Sequence, residues 1–399
     1  MYLITNGQII TPVGILAGYE ILIEHDRIKQ IAKREAISRE SFDVVIDANG
    51  GYITPGFVDI HTDYIEQIAA PRPRVLMDFD LALKETEKIV VNQGITTMFH
   101  SLSLYKGGEF GQKAIRMLEN VDKFAKLIEN THTSQHLIRH RFHARLEIDN
   151  IEAVPYLKRY IEQKQVQLIS FMDHTPGQGQ YRDLEIYREA MKGHNHLTDE
   201  EVAQVMKNHE TKERLTFKGL KEIADLAKAS NVAVASHDDD ELAKIDLVKH
   251  FHTSISEFPI TIEVAQKAKA SGLYTVAGAP NVLLGGSHSG NLSAIDAIKE
   301  EVIDILCSDY YPASLLHAVF KLHQQYGYDL AAMIKLVTIN PAKAVGMAQE
   351  IGSIEAGKKA DLLIIEQVEG DYPVITHTFV DGKLLTQMNY RNSKVSERI

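Results

Sequence analysis

The chain has 399 residues, 44% of them hydrophobic, with a formal net charge of −11 and a single cysteine, Cys307. That length exceeds one ordinary domain and suits a large α/β barrel with a small appended domain. One cysteine excludes an intrachain disulfide, no apolar run reaches the roughly 18 residues of a membrane helix, and the acidic balance excludes nucleic acid as an expected partner.

The opening "MYLITNGQII" has no basic region and no small-residue cleavage site, so a cytoplasmic protein is expected. The first ~50 residues read as all-β, with alternating apolar runs broken at Asn6-Gly7 and at Pro12 to Gly14. The end of the chain resembles this start: "GSIEAGKKADLLIIE" and "VITHTFVDGKLL" carry strands around Gly357, Lys358 and the turn Asp381-Gly382. Residues 1–53 and 351–399 are therefore expected to build one small β-sandwich from both termini.

Between them, residues 54–350 alternate strands with helices. The strand candidates are "GFVDIHTD", "GITTMFHSL", "RFHARLEID", "VQLISFMDH", "VAVASHDDD", "HTSISEF", "LYTVAGAP" and "VIDILCSDY". Helical stretches fall at Leu81–Asn92, Lys113–Ile128, Lys218–Ser230, Ile260–Ser271 and Ala313–Tyr326. Eight strands interleaved with helices predict a (β/α)8 barrel of the TIM type. A polar excursion at 176–213, with a capping box from Thr198 to Glu201, reads as a helical insertion over the barrel mouth or as an ordinary surface helix pair.

The polar residues of these strands cluster at their C-terminal ends, where barrel active sites are built. His61 and Asp63 close the first strand; Glu147 closes the third, with His143 and Arg145 on the same face by period two. Asp173 and His174 close the fourth, His237 and Asp239 the fifth, and Asp309 the eighth. Imidazoles and carboxylates are the ligand set for zinc and similar divalent ions. Taken singly, each has a plainer reading: a His–carboxylate hydrogen bond, or a solvated helix N-terminus at "SHDDD". Recurrence at five strand ends favours one or two divalent ions, zinc first.

Anion binding has its own candidates. "GGSHSGN" offers glycines, Ser287, His288 and Asn291 before a helix near Leu292, a type of turn that suits anions although most such loops are only loops. Arg145 either meets a phosphate or pairs with Glu147, and Arg72 and Arg74 add positive charge nearby. This local basic set would offset the charge of −11 for an anionic substrate.

The two-ended β domain, "ITPGFVDIHTD", "TINPAKAVGM" and "GSIEAGKKADLLII" together resemble the amidohydrolase superfamily. "MDHTPGQGQYRD" (172–183), "ASHDDD" (235–240), "ISEFP" (255–259), "GAPNVLLGGSHSGN" and "SDYYP" (308–312) are similar, in order, to the PhnM family of the carbon–phosphorus lyase pathway. That resemblance implies a diphosphatase acting on α-D-ribose 1-methylphosphonate 5-triphosphate. It implies metal ligands at His61, Asp63, Glu147, His174 and His237, and Asp309 as the acid/base. Tyr64, Ile68 and Arg74 stand where the family has Asn, His and Gly, which leaves a related phosphorylated sugar open as substrate. The competing expectations are a hydrolase of C–N bonds, such as a cyclic amidase or deacetylase, and a non-catalytic barrel. A homo-oligomer stays open.

Overall fold

The computed structural model describes residues 1–34, 36–38, 42–72, 75–104, 114–173, 198, 213–286 and 291–390. Its centre is an eight-stranded parallel sheet whose strands follow chain order. They run from Phe57–Thr62 through Ile95–Leu104, Arg139–Glu147, Leu168–Met172, Ala233–His237, Ile255–Glu257 and Tyr274–Gly278 to Ile305–Cys307. Six lie within the stretches expected from the sequence; Ile95–Leu104 runs two residues past its stretch and Arg139–Glu147 starts two residues before its own. The first two are buried along their whole length, as strands covered on both faces must be.

The seam between the first and last strands closes through Asp309. Its N–H donates to the His61 carbonyl at 3.0 Å, and its own carbonyl accepts from Asp63 N–H at 2.9 Å. Lower in the seam, buried Asp59 accepts from the Ser308 N–H at 3.0 Å and hydroxyl at 2.6 Å. The Asp59 carboxyl is pushed up to about 6 by burial, against the two Ser308 hydrogen bonds. Gly56 leads into the first strand because a Cβ there would sit 2.3 Å from the Thr96 side chain.

Helices cover the outside. Phe79–Val90, Phe217–Ala229 and Ile262–Ala270 begin at Asp78, Thr216 and Thr261, whose side chains accept from Leu81, Gly219 and Val264 N–H, each satisfying an otherwise orphaned donor. Leu118–Thr131 and Ser314–Tyr326 complete the helices expected from periodicity.

The termini form two further sheets. One holds Tyr2–Thr5, Tyr19–Glu24, Arg27–Lys33 and Val44–Asp47; the other places Tyr52–Pro55 between Gln8–Thr11 and the C-terminal strand Leu362–Val368. They pack face to face over Ile4, Ile21 and Ile46 on one side and Ile9, Ile53, Leu362 and Phe379 on the other. Gly382 (φ +71°) makes the closest approach between the ends: a Cβ would lie 2.0 Å from the His25 carbonyl. Arg139, at the foot of the third barrel strand, donates to Asp361 and Asp381 and so ties barrel to sandwich. Among the described residues no helix is long and apolar enough to cross a membrane.

Candidate active site

Period two organises the barrel interior. Phe99, Leu168, Ala235 and Ile255 belong to its apolar filling. Two residues further along each strand, the next inward positions are Ser101, Ser170, His237 and Glu257, with His143 beside them. A polar layer thus sits one step above an apolar one, towards the C-terminal face.

Within that layer His61, His237 and Glu257 bring one donor atom each to within 4.8 Å of one another, all buried. His61 Nδ1 donates to Glu257 Oε1 at 2.8 Å, and Ser170 Oγ donates to Glu257 Oε2 at 2.6 Å. His143 contacts Ser170 on one side and Ser101 Oγ, at 2.9 Å, on the other. Phe258 packs its ring against His61 and His237, with centroids 4.9 and 5.1 Å apart. Its φ of 54° is unusual for a bulky residue, and Asp238 (50°) and Asp309 (58°) share it. Three left-handed backbones at strand ends around one cluster are the kind of strain that gathers at functional sites.

The proton positions follow from the partners. Arg145 Nη2 donates to His237 Nε2 at 3.2 Å, so that nitrogen carries a lone pair, while Nδ1 lies 2.8 Å from Asp238 Oδ2. His61 gives its Nδ1 hydrogen to Glu257, which leaves Nε2 as a lone pair too. Burial lowers His61 to about 4 and His143 to about 3, with Glu257 working against the shift. Burial alone would raise Glu257, yet His61 and His143 hold it well below the usual carboxylate range. Neutral imidazoles facing an ionised carboxylate are the protonation states that a divalent cation requires of its ligands, so the residues present fit one.

The other expected residues are placed as follows. Asp63 lies just past the first strand, at the start of the helix Tyr64–Ala69, with Arg116 Nη2 3.7 Å from its Oδ2. Arg116 also holds buried Glu66 in a two-point pair at 2.7 and 2.9 Å. Glu147 closes the third strand, buried, but it and Asp63 are not in the three-residue group. Asp309 stands at the mouth, pushed up to about 7 by burial and by the nearby Asp63 carboxylate, against the pull of Arg145. Asp239 is a buried tie accepting from Ser236 and Ser256, with Lys244 3.4 Å away, which removes it as a free base. Asn291 is partly buried beside the connection that Asn281 fixes through Leu292 and Ala294. His174, Ser287, His288, Arg74, Glu201 and most of the 176–213 insertion fall outside the described residues.

Glu257 carries the cluster, yet "ISEFP" gave it no role in the sequence reading; its inward position two residues after Ile255 was the available signal. Arg116 and Glu66 had none, since neither lies on a barrel strand.

A parallel eight-stranded barrel, a His–His–Glu cluster at its C-terminal face and a sandwich built from both termini define a barrel hydrolase of the metal-dependent type. The chain belongs to the amidohydrolase family, whose sequence pattern matches residues 52–385. It is 32% identical to the alpha-D-ribose 1-methylphosphonate 5-triphosphate diphosphatase of Escherichia coli (strain K12), over 96% of this chain and 99% of that one. Identity to the imidazolonepropionase of Treponema denticola is 26%, over 93% and 92% of the two chains. The crystal structure of N-acetylglucosamine-6-phosphate deacetylase from Pasteurella multocida shares the fold, with a TM-score of 0.65 at 14% identity, covering 97% of this chain and all of that one.

Proposed function

We propose that this hydrolase cleaves a phosphoanhydride, releasing diphosphate from a triphosphorylated sugar of the α-D-ribose 1-methylphosphonate 5-triphosphate type. The observation that carries this reading is Arg145. Its guanidinium is fixed at the His61–His237–Glu257 cluster by Nη2 on His237 and by Nε, 3.2 Å from Met172 Sδ. A cation built into the reacting centre suits a polyphosphate and answers the net charge of −11. The 32% identity to a diphosphatase over nearly the whole of both chains points the same way.

His61 and His237 would hold a divalent ion, with Asp63, Glu147 and His174 as further ligands and Glu257 orienting His61 through its Nδ1; bound there, the ion would supply Lewis-acid polarisation and lower the pKa of water to roughly 7. The protein's own groups do the rest. Asp309, poised near neutrality, takes the proton of the attacking water. Arg145, displaced from the His237 nitrogen that the ion would take, binds the phosphoryl oxygens as negative charge accumulates there. Ser287, His288 and Asn291 hold the leaving diphosphate, which departs without strong acid assistance. Tyr64, partly buried beside Tyr311 at the mouth, shapes the sugar end.

The test is diphosphate release by metal-replete protein from the ribose methylphosphonate triphosphate and from nucleoside triphosphates, beside a panel of cyclic amides. Release from the sugar triphosphate is the expected result. The C–N alternative, which the 26% identity to imidazolonepropionase keeps in play, replaces this reading if only the amides react.

A further inference from the structure

Among the described residues a second cluster of metal-ligand type stands apart from the first: Glu87, His136 and His140, one donor atom each, all within 4.8 Å of one another. We propose that it is a structural binding site for a zinc-like divalent cation. His136 Nδ1 and His140 Nε2 lie 3.0 and 3.1 Å from the same oxygen, Glu87 Oε2. Ligands 2.0–2.1 Å from a tetrahedral ion are separated from one another by roughly 3.3 Å. Two of the three separations are thus already close to an edge of such a polyhedron and the third lies within 4.8 Å, so an ion needs only small movements to enter.

Three chain segments supply the donors. Glu87 comes from the last turns of the helix Phe79–Val90, His136 from the connection after Leu118–Thr131, and His140 from the foot of the third barrel strand. Two supporting contacts surround them. Leu137 N–H donates to Glu87 Oε2 at 2.9 Å and orients the carboxylate. His140 Nδ1 lies 2.8 Å from Nε2 of His100, whose ring is stacked on it at 18°. A histidine that gives one nitrogen to a metal typically donates the other N–H to an acceptor, and His100 Nε2 stands where that acceptor belongs. His100 is fully buried and its Nδ1 has no hydrogen-bond partner among the described residues, so no other contact dictates its tautomer. His136 is only partly buried and provides the way in. His140 precedes Glu147 by seven residues on one strand, roughly 23 Å at 3.3 Å per residue. The site is therefore at the opposite end of the barrel from the candidate active site, where it would clamp helix and connection to the strand.

The experiment titrates metal-stripped full-length protein with Co2+ alone, reading bound equivalents, visible absorption and Tm. The double variant His61→Ala/His237→Ala disables the first cluster. It should still take up one equivalent of Co2+ with the absorption of a nitrogen- and oxygen-ligated ion, and its Tm should rise on binding. Adding His136→Ala should abolish that equivalent and the Tm rise; Glu87→Gln, which keeps the shape and the Leu137 contact, should do the same if the His136 variant does not fold. Loss of all cobalt binding in the double variant overturns the proposal, as does an unchanged equivalent with His136→Ala or Glu87→Gln; the cluster is then a hydrogen-bonded tie only. Neither result bears on diphosphate release by the unmodified protein, so this inference and the proposed function fail separately.

Discussion

Replacing Glu257 with Gln tests the core of the candidate site with almost no change in shape. The carboxylate is fully buried and accepts two hydrogen bonds, from His61 Nδ1 at 2.8 Å and Ser170 Oγ at 2.6 Å. In the variant the amide oxygen can keep the His61 bond, and the amide N–H₂ can donate to Ser170, whose hydroxyl turns to His143. Geometry survives while charge is lost. A hydrogen bond to a charged group contributes about 1.5–3 kcal/mol and a neutral one about 0.5–1.5, so two bonds lose about 2 kcal/mol of support for the His61 lone pair. At 1.4 kcal/mol per tenfold, divalent-ion affinity should fall about 30-fold, inside the range of about 10–100 known for partners that orient metal ligands. A direct ligand would cost more. Folding stability should hold or rise, because a buried charge has been removed. Competition with a chelator measures the affinity, and thermal unfolding of the metal-free protein checks the fold. An affinity within threefold of the unmodified protein, at unchanged Tm, would refute the placing of Glu257 at the centre of this site.

Asp309→Asn should lower kcat by roughly 10²-fold or more, the scale of general-base loss. In the unmodified protein the rate should rise with pH through a single ionisation at about 7, or lower once a cation is bound beside it; a variant that keeps this limb and near-normal turnover removes Asp309 as the base. Arg139→Met should leave Asp361, whose side chain is 3% exposed, without its cation. Breaking a buried pair in this way costs about 3–5 kcal/mol, read from urea unfolding; a loss under about 1 kcal/mol would contradict it. Burial alone would raise Asp381, but Arg139 and Lys359 hold it below its ordinary value. Its folded pKa is depressed, so its contribution is complete above about pH 4, the unfolded value. That contribution is lost as pH falls through the folded pKa, and Arg139→Met should flatten the acid limb of a stability–pH curve.

Fold and site were legible in the sequence to different depths, for a physical reason. A barrel strand announces itself through apolar runs bounded by turns, and its chemistry through an inward residue two positions past the apolar filling. Phe99 to Ser101, Leu168 to Ser170, Ala235 to His237 and Ile255 to Glu257 all obey that rule. His61 and His237 were readable because an imidazole at a strand end is rare enough to notice. Glu257 obeyed the same rule on a strand of only three residues, Ile255–Glu257, and a short strand gives too few alternations to fix its phase. Asp63 shows where that rule stops applying. Period two assumes that the strand continues, but it ends at Thr62 and the chain turns into a helix, so Asp63 turns to Arg116, a residue some fifty positions away that no local pattern could select. Glu87, His136 and His140 were invisible for the same cause: nothing within "HLIRHRFH" points to a carboxylate until the Phe79–Val90 helix lays one across it. Periodicity reports which way one strand or helix points its own side chains. What converges from several elements is set by how they pack, and both candidate clusters are of that kind.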